Sequence, residues 1–270
     1  MKPRRIARRA ALTITTLIIL VEVVHLFVDS PGRFHEIYGG AVQIAYPEHY
    51  IVDSDANFSL ITTTLTFWAD SYGPSTSGYL NGSVRMSAFR SLSISPLPDT
   101  KMTAVLRSFR GGQGTEVSTK HQARAELSKL PDNAFATAVV ELATPMDERE
   151  MEVALAGYVD TRTDTVYLFL SGLEPGMRKP VFWRSCAIYR SECANRSSLD
   201  LYRRWVSRLS WFDGIGLTQM GLNAERLRQA AREGRIYGLL TYGYPKKRLL
   251  EMLDLRAVRA IHVAETRTIG

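Results

Sequence analysis

The feature that most constrains this chain is a long apolar run directly after a strongly basic N-terminus. Five basic residues stand before the run: Lys2, Arg4, Arg5, Arg8 and Arg9. Residues 10–28 (AALTITTLIILVEVVHLFV) would form a helix of about 28 Å, long enough to cross a bilayer. Because positive charge holds the preceding end in the cytoplasm, we predict a single-pass signal anchor at 10–28 in the cell membrane. Residues 1–9 would then form a cytoplasmic tail, and everything after Asp29 would be extracytoplasmic.

Two other interpretations of this run are less well supported. A cleaved signal peptide usually has a shorter apolar region and small residues before the cleavage site. Residues 27–31 (Phe-Val-Asp-Ser-Pro) offer no such site. A buried helix of a soluble protein would leave the five adjacent basic residues as a coincidence.

A polar pair interrupts the predicted membrane helix. Glu22 and His25 lie three residues apart and therefore on one helix face. Ionisable groups inside a bilayer usually face a partner or water. The pair either contacts another transmembrane helix or lies close enough to the outer headgroups to be hydrated. We take Glu22 and His25 as candidate contacts of a membrane partner.

The basic balance of the whole chain does not indicate a nucleic-acid partner. The formal net charge is +7, but without the N-terminal tail 29 basic residues face 27 acidic ones. A nearly neutral folded part lacks the positive field that binds a polyanion, so we expect no nucleic-acid partner. The tail itself suits orientation in the membrane and contact with anionic lipid headgroups.

The chain has two cysteines, Cys186 and Cys193, and both fall on the predicted outer side of the membrane. An oxidising compartment favours a disulfide bond between them. In one straight helix they would lie about 10 Å apart, too far to bond. A disulfide bond therefore requires a turn before the helix predicted at 197–212. Two free thiols are the alternative.

The remainder divides into two extracytoplasmic regions. Residues 29–110 are predicted to be a connector (29–47) followed by a β-rich region, with strands at 57–71, 78–95 and 103–110 and a turn at Asn81-Gly82. Residues 115–270 alternate strands and helices. Helices are predicted at 118–130, 145–156, 197–212, 222–234 and 245–254, and strands at 133–142, 164–170, 235–243 and 256–265.

This order predicts an α+β fold. A single N-terminal transmembrane helix and a β-rich segment would precede a mixed sheet with packed helices, built from βαβ units. The last unit would place two parallel strands in one sheet. Its predicted core residues are Ile236, Leu239, Leu249, Leu250, Leu253, Val258 and Ile261.

Two passages resemble the sigma factor regulator family of bacterial membrane proteins, in its extracytoplasmic C-terminal domain. They are STKHQARAELSKLPDNAFATAVVELATPMDEREM (118–151) and RIYGLLTYGYPKKRLLEMLDLRAVRAIHVAE (235–265). The resemblance rests on core patterning, on the Leu130-Pro131 passage and on Gly238 and Gly243. It implies a basic N-terminus, one transmembrane helix, an outer β-rich segment and a role in anti-sigma and transcription regulation. It implies no active-site residues.

No catalytic signature is found in the sequence. HExxH, GxSxG and GxxxxGK[ST] do not occur, and the five histidines are not at metal-ligand spacing. We therefore expect neither an enzyme nor a bound cofactor or metal ion.

The candidate binding surface is the basic segment around Arg203, Arg204 and Arg208, where aromatic residues are interleaved. Core packing is the alternative role for Trp205, which lies on the apolar stripe of the predicted helix.

Two functions follow as hypotheses. The first is a membrane-anchored sensor or regulator whose outer domain binds a ligand or protein and whose partner is a sigma factor, an anti-sigma factor or another membrane protein. Because a tail of about nine residues is too short to fold as a domain, the signal would pass through a membrane partner. The alternative is a cell-envelope binding or assembly module with no transcriptional role.

Overall fold

The computed structural model describes residues 13–16, 31–59, 62–71, 80–87, 91–95, 97–108, 120–159, 165–168, 181–184, 186, 189, 192–193 and 195–268. Over these residues the fold is α+β, with two antiparallel sheets and helices packed against them. Residues 13–16 are helical.

The first sheet has four strands in sequential order: β1 (His49–Phe58), β2 (Thr62–Ser71), β3 (Leu80–Ser87) and β4 (Leu92–Ile94). Neighbouring strands are antiparallel throughout. In β2 the buried residues alternate with partly exposed ones, as expected for a sheet with one face on the core. The buried members are Thr63, Leu65, Phe67 and Ala69.

The second sheet has five strands in the order β7-β6-β8-β5-β9. Their bounds are β5 (Ala134–Met146), β6 (Thr165–Leu168), β7 (Val181–Trp183), β8 (Ile236–Pro245) and β9 (Val258–Thr268). Every neighbouring pair is antiparallel. Strands β8 and β9 therefore run in the same direction, but β5 lies between them.

The helices are α1 (Pro31–Ala45), α2 (Lys101–Ser108), α3 (Lys120–Ser128), α4 (Glu148–Ala154), α5 (Ser198–Ser207), α6 (Asp213–Gln219), α7 (Ala224–Glu233) and α8 (Lys246–Asp254). Helices α3 and α8 pack on β9 and on each other, and α5 packs on α7. Helix α2 lies over the other face of the five-stranded sheet, where Met102 joins Val139 and Leu240 in a small apolar cluster.

Helix α1 lies at the centre of the main core. It contacts β1 and β2 of one sheet, β7 of the other, and α5. Pro31 suits the first helical position, and Phe34, Ile37, Tyr38 and Ala41 follow at helical spacing. All four of these side chains are fully buried. The main core cluster also contains residues of both sheets, such as Leu65 and Ile261, so α1 holds the sheets together.

The predicted membrane span is corrected by the structure. A spanning helix needs about 20 apolar residues, whereas α1, the longest described helix, has 15 residues. Within the described part of the chain, no helix combines the length and the apolar character that crossing a membrane requires. The predictions of a transmembrane signal anchor and of a single-pass location in the cell membrane were therefore wrong by this criterion. Apart from 13–16, residues 10–28 lie outside the described residues.

Other parts of the fold prediction were also wrong. The five-stranded sheet is antiparallel rather than mixed. Strand β5 lies between β8 and β9, so these two strands are not neighbours. The predicted connector at 29–47 contains helix α1, and the predicted strand at 103–110 overlaps helix α2. The Asn81-Gly82 pair lies within β3 and not in a turn. There Gly82 admits the ring of Phe67, which a Cβ would meet at 2.3 Å.

The predicted core of the last strand–helix–strand unit was largely confirmed. Six of the seven side chains are buried: Ile236, Leu239, Leu249, Leu253, Val258 and Ile261. Leu250 is only partly buried at the edge of the core. Helix α7 ends as predicted at Gly234, whose φ of 59° is left-handed.

Candidate functional site

A network of charged side chains fixes the first half of α1 against α5. The Glu36 carboxylate is nearly buried and accepts hydrogen bonds from the Arg208 guanidinium and from the Tyr189 hydroxyl, the latter at 2.5 Å. The Trp205 indole N–H donates to the Glu36 backbone carbonyl oxygen at 3.0 Å. Side-chain and backbone contacts at Glu36 therefore join α1, α5 and the segment that contains Tyr189.

Tyr189 belongs to the segment closed by the two cysteines. Cys186 and Cys193 are disulfide-bonded, with their Cα atoms 5.1 Å apart. Burial, and then the hydrogen bond to Glu36, raise the pKa of the Tyr189 hydroxyl well above its usual range. The hydroxyl therefore stays protonated and donates to Glu36 throughout the neutral range.

The arginines of the predicted binding surface make internal contacts. Arg204 donates to both carboxylate oxygens of Glu192, at 2.6 and 2.7 Å, and its guanidinium lies 5.2 Å from the centre of the Tyr189 ring. The hydrogen bond to Glu192 raises the pKa of Arg204 further. Arg203 donates to the Ala231 carbonyl oxygen of α7 at 3.0 Å. Together with Arg208, these side chains hold α5 to its neighbours.

A second ion pair lies below the start of α6. Asp213 is 1% exposed, and its Oδ2 accepts from the backbone N–H and the hydroxyl of Ser210, both at 2.7 Å. Arg33 of α1 donates to the same oxygen at 2.5 Å. On the same inner face, Gly216 lets α6 approach Tyr38 closely, because a Cβ there would lie 2.5 Å from the Tyr38 hydroxyl oxygen. Helix α6 is thereby fixed on α1.

The outer side of this region exposes apolar surface. Trp211 is 74% exposed and Ile215 is 51% exposed. The Trp211 and Phe212 rings stack with their centres 3.6 Å apart. We call Trp211, Phe212 and Ile215 the Trp211 patch. Trp211 and Phe212 are in contact, and Ile215 follows four residues after Trp211. Contiguous exposed apolar surface is typical of interaction sites.

Another polar cluster lies on the five-stranded sheet. Glu141 of β5 accepts from Arg259 of β9, and a Glu141 oxygen lies 3.5 Å from Nε2 of His262. Strand β9 has register irregularities near Arg259 and near Ala264, and such bulges re-aim side chains. The His262 side chain is 25% exposed.

The structure separates the sequence-predicted site residues into two sets. Arg203, Arg204 and Arg208 lie together on α5 and beside it, whereas Glu22 and His25 lie outside the described residues. Sequence analysis missed Glu36, Arg33 and Asp213, and it did not single out the Trp211 patch. The spacing of Phe34, Ile37, Tyr38 and Ala41 could have indicated α1, but nothing local indicates that α1 meets α5.

Comparison with protein-family models, with characterised proteins and with solved structures finds no match for the chain. The resemblance to sigma factor regulators therefore stays a prediction. In the part of the chain that the structure describes, no group of three or more potential ligands is placed to hold a metal ion.

Proposed function

We propose that the protein is a regulatory protein that acts by binding another protein through the Trp211 patch. The proposed partner is a sigma factor or an anti-sigma factor, in line with the resemblance of residues 118–151 and 235–265 to sigma factor regulators. The observation that carries this proposal is the exposure of Trp211, in the turn before α6, and of Ile215, on α6, beside the contacts that attach α6 to α1.

Rigidity is what distinguishes the Trp211 patch from scattered exposed residues. Asp213, two residues after Trp211, is buried and holds both Ser210 and Arg33. Gly216, next to Ile215, packs against Tyr38 of the central helix. A partner that contacts the patch therefore meets a surface that is already ordered, which lowers the entropy lost on binding. Tryptophan is also the residue type most enriched among side chains that dominate binding energy.

Site-specific photocrosslinking in cells tests this proposal. A photoreactive amino acid would replace Trp211 in one variant and Val153 in a control variant. Val153 is a matched control because it too is 74% exposed, but it lies on α4. We expect the variant at position 211 to form a specific adduct that contains a sigma factor or an anti-sigma factor, and the variant at position 153 to form none.

Two results would contradict the proposal. Equal labelling from positions 211 and 153 would mean that the Trp211 patch is ordinary surface. A specific adduct at position 211 that contains only a second copy of this chain would identify a self-association interface instead of a regulatory contact.

A further inference from the structure

We infer that the Trp211 patch receives an acidic segment of a protein, in which an apolar side chain is flanked by carboxylates. This inference rests on the proposed function and deepens it by stating the chemistry of the partner. It follows from the orientation of the ion pairs around the patch and from the fact that the basic residues there are arginines.

Guanidinium groups surround the turn that presents Trp211. Arg33 donates to the carbonyl oxygen of Arg208 at 3.3 Å, and Arg228 donates to the carbonyl oxygen of Leu209 at 3.2 Å. These carbonyls lie three and two residues before Trp211. The Arg208 side chain itself is 50% exposed.

The acids that pair with Arg33 and Arg208 lie on the inner side, whereas the acid that lies 3.7 Å from Arg228 is the exposed Glu225. Asp213, the partner of Arg33, is 1% exposed, whereas the Arg33 side chain is 22% exposed. Glu36, the partner of Arg208, is 11% exposed, against 50% for Arg208. In both pairs the positive end is therefore the more exposed one. Arg208 lies three residues before Trp211, and Arg33 donates to the Ser210 hydroxyl, one residue before it. A carboxylate of a partner can contact these guanidinium groups while the buried acids keep them in place.

The composition of the surrounding helices points to a protein as partner. Residues 195–235, which contain α5, α6 and α7, have eight arginines, no lysine and four acids. Arginine and tryptophan are enriched at protein interfaces, whereas lysine is depleted there. Lysine and arginine attract anionic lipid equally, so a lipid partner would not account for the absence of lysine. A nucleic acid would need an extended basic groove, but several of these arginines are already paired with acids, as Arg204 is with Glu192 and Arg235 with Glu150.

The test uses the full chain and three synthetic helical peptides that share one apolar face of leucine and phenylalanine. The residues that flank this face are glutamate in the first peptide, glutamine in the second and lysine in the third. Binding is followed by fluorescence anisotropy of a label on the peptide. We expect the glutamate peptide to bind at least about tenfold more tightly than the glutamine peptide, with the difference shrinking at high salt.

Variants place the binding at the patch. Trp211→Ser should weaken binding of the glutamate peptide by about 30-fold, the loss expected when an aromatic hot spot is truncated. Arg228→Gln should weaken the glutamate peptide several-fold and leave the glutamine peptide unchanged. Val153→Ser should change neither. Circular dichroism of each variant confirms that the fold is retained.

Equal affinity for the glutamate and lysine peptides, or full binding by Trp211→Ser, would overturn the inference. Tighter, Trp211-dependent binding to vesicles of anionic phospholipid or to a single-stranded oligonucleotide would also overturn it, by assigning the surface to another class of partner. The proposed function is tested independently of the peptides. It is contradicted when crosslinking from position 211 captures no regulatory protein, whether or not the glutamate peptide binds.

Discussion

Replacing Gly40 with alanine should destabilise the protein, although alanine is the better helix former. Gly40 lies in the middle of α1, opposite Trp205 of α5. A Cβ at position 40 would lie 2.4 Å from Nε1 and 2.7 Å from Cε2 of the Trp205 indole, whereas ordinary contacts begin at 3.4 Å. The indole or the helix would therefore have to move by about 1 Å to reach ordinary contact distance.

The indole has little freedom to move. Trp205 is fully buried, and its ring centre lies 5.5 Å from that of Trp183 and 6.1 Å from that of Tyr202. Overpacking of this kind costs about 1–3 kcal/mol. Weakening the hydrogen bond from the indole to Glu36 adds about 1 kcal/mol. The gain in helix propensity offsets about 1 kcal/mol, so we expect a net loss of about 2 kcal/mol in the free energy of unfolding.

Gly32 of the same helix provides the matched control. A Cβ at position 32 would have no atom within 4 Å, so Gly32→Ala should be neutral or stabilise by up to about 1 kcal/mol. Urea unfolding followed by circular dichroism measures both variants. For a slope of about 2–3 kcal/mol per molar, the two midpoints should differ by about 1 M. Equal midpoints, or a Gly40→Ala variant more stable than Gly32→Ala, would refute the close packing of α1 on α5.

Three further changes test other parts of the structure. Tyr189→Phe should lower the free energy of unfolding by about 1–3 kcal/mol, because Glu36 loses a buried donor. Since folding raises the pKa of Tyr189, the stability of the parent should also fall above about pH 10. Alkaline denaturation should show a smaller fall in the variant. Leu253→Ala should cost about 2–5 kcal/mol in thermal unfolding, as a cavity in a fully buried site. Replacing Cys186 and Cys193 by serine should cost about 2.5 kcal/mol in urea unfolding under non-reducing conditions, because the disulfide bond joins residues with a sequence separation of 7.

Local signals in the sequence predicted most elements of the second half of the chain. Helix α7 lies between Asn223, whose side chain caps the first turn, and the left-handed Gly234. Helix α4 starts at Asp147, which forms a reciprocal capping box with Glu150. Caps and hydrophobic periodicity depend on neighbouring residues only, so the sequence alone is enough to indicate them.

The pairing order of the strands could not be derived in the same way. Strand β5 pairs with both β8 and β9, which lie about 100 or more residues later in the chain. Nothing local indicates this pairing, and the βαβ pattern at 235–265 by itself suggests two adjacent parallel strands. Helix α1 was missed because Pro31, Gly39 and Gly40 resemble the residues of a connector. Yet Pro31 begins the helix, and Gly40 gives space to Trp205.

The candidate site depends on contacts of still longer range. Arg208 and Glu36 are 172 residues apart, and Arg33 and Asp213 are 180 apart. Arg203, Arg204 and Arg208 were identified from composition, but composition does not distinguish an arginine that binds a partner from one that holds two helices together. The exposure of Trp211 beside the buried Trp205 is equally a property of the packed helices.

Measurement of transcripts in the organism that makes this protein tests whether the Trp211 patch has a regulatory role. A strain that lacks the protein would be complemented with the parent chain, with Trp211→Ser or with Val153→Ser, at matched protein levels. We expect that deletion changes the transcripts of one sigma-dependent set of genes, and that the parent and Val153→Ser restore them while Trp211→Ser does not. Full restoration by Trp211→Ser, or no change in transcripts on deletion, would contradict it.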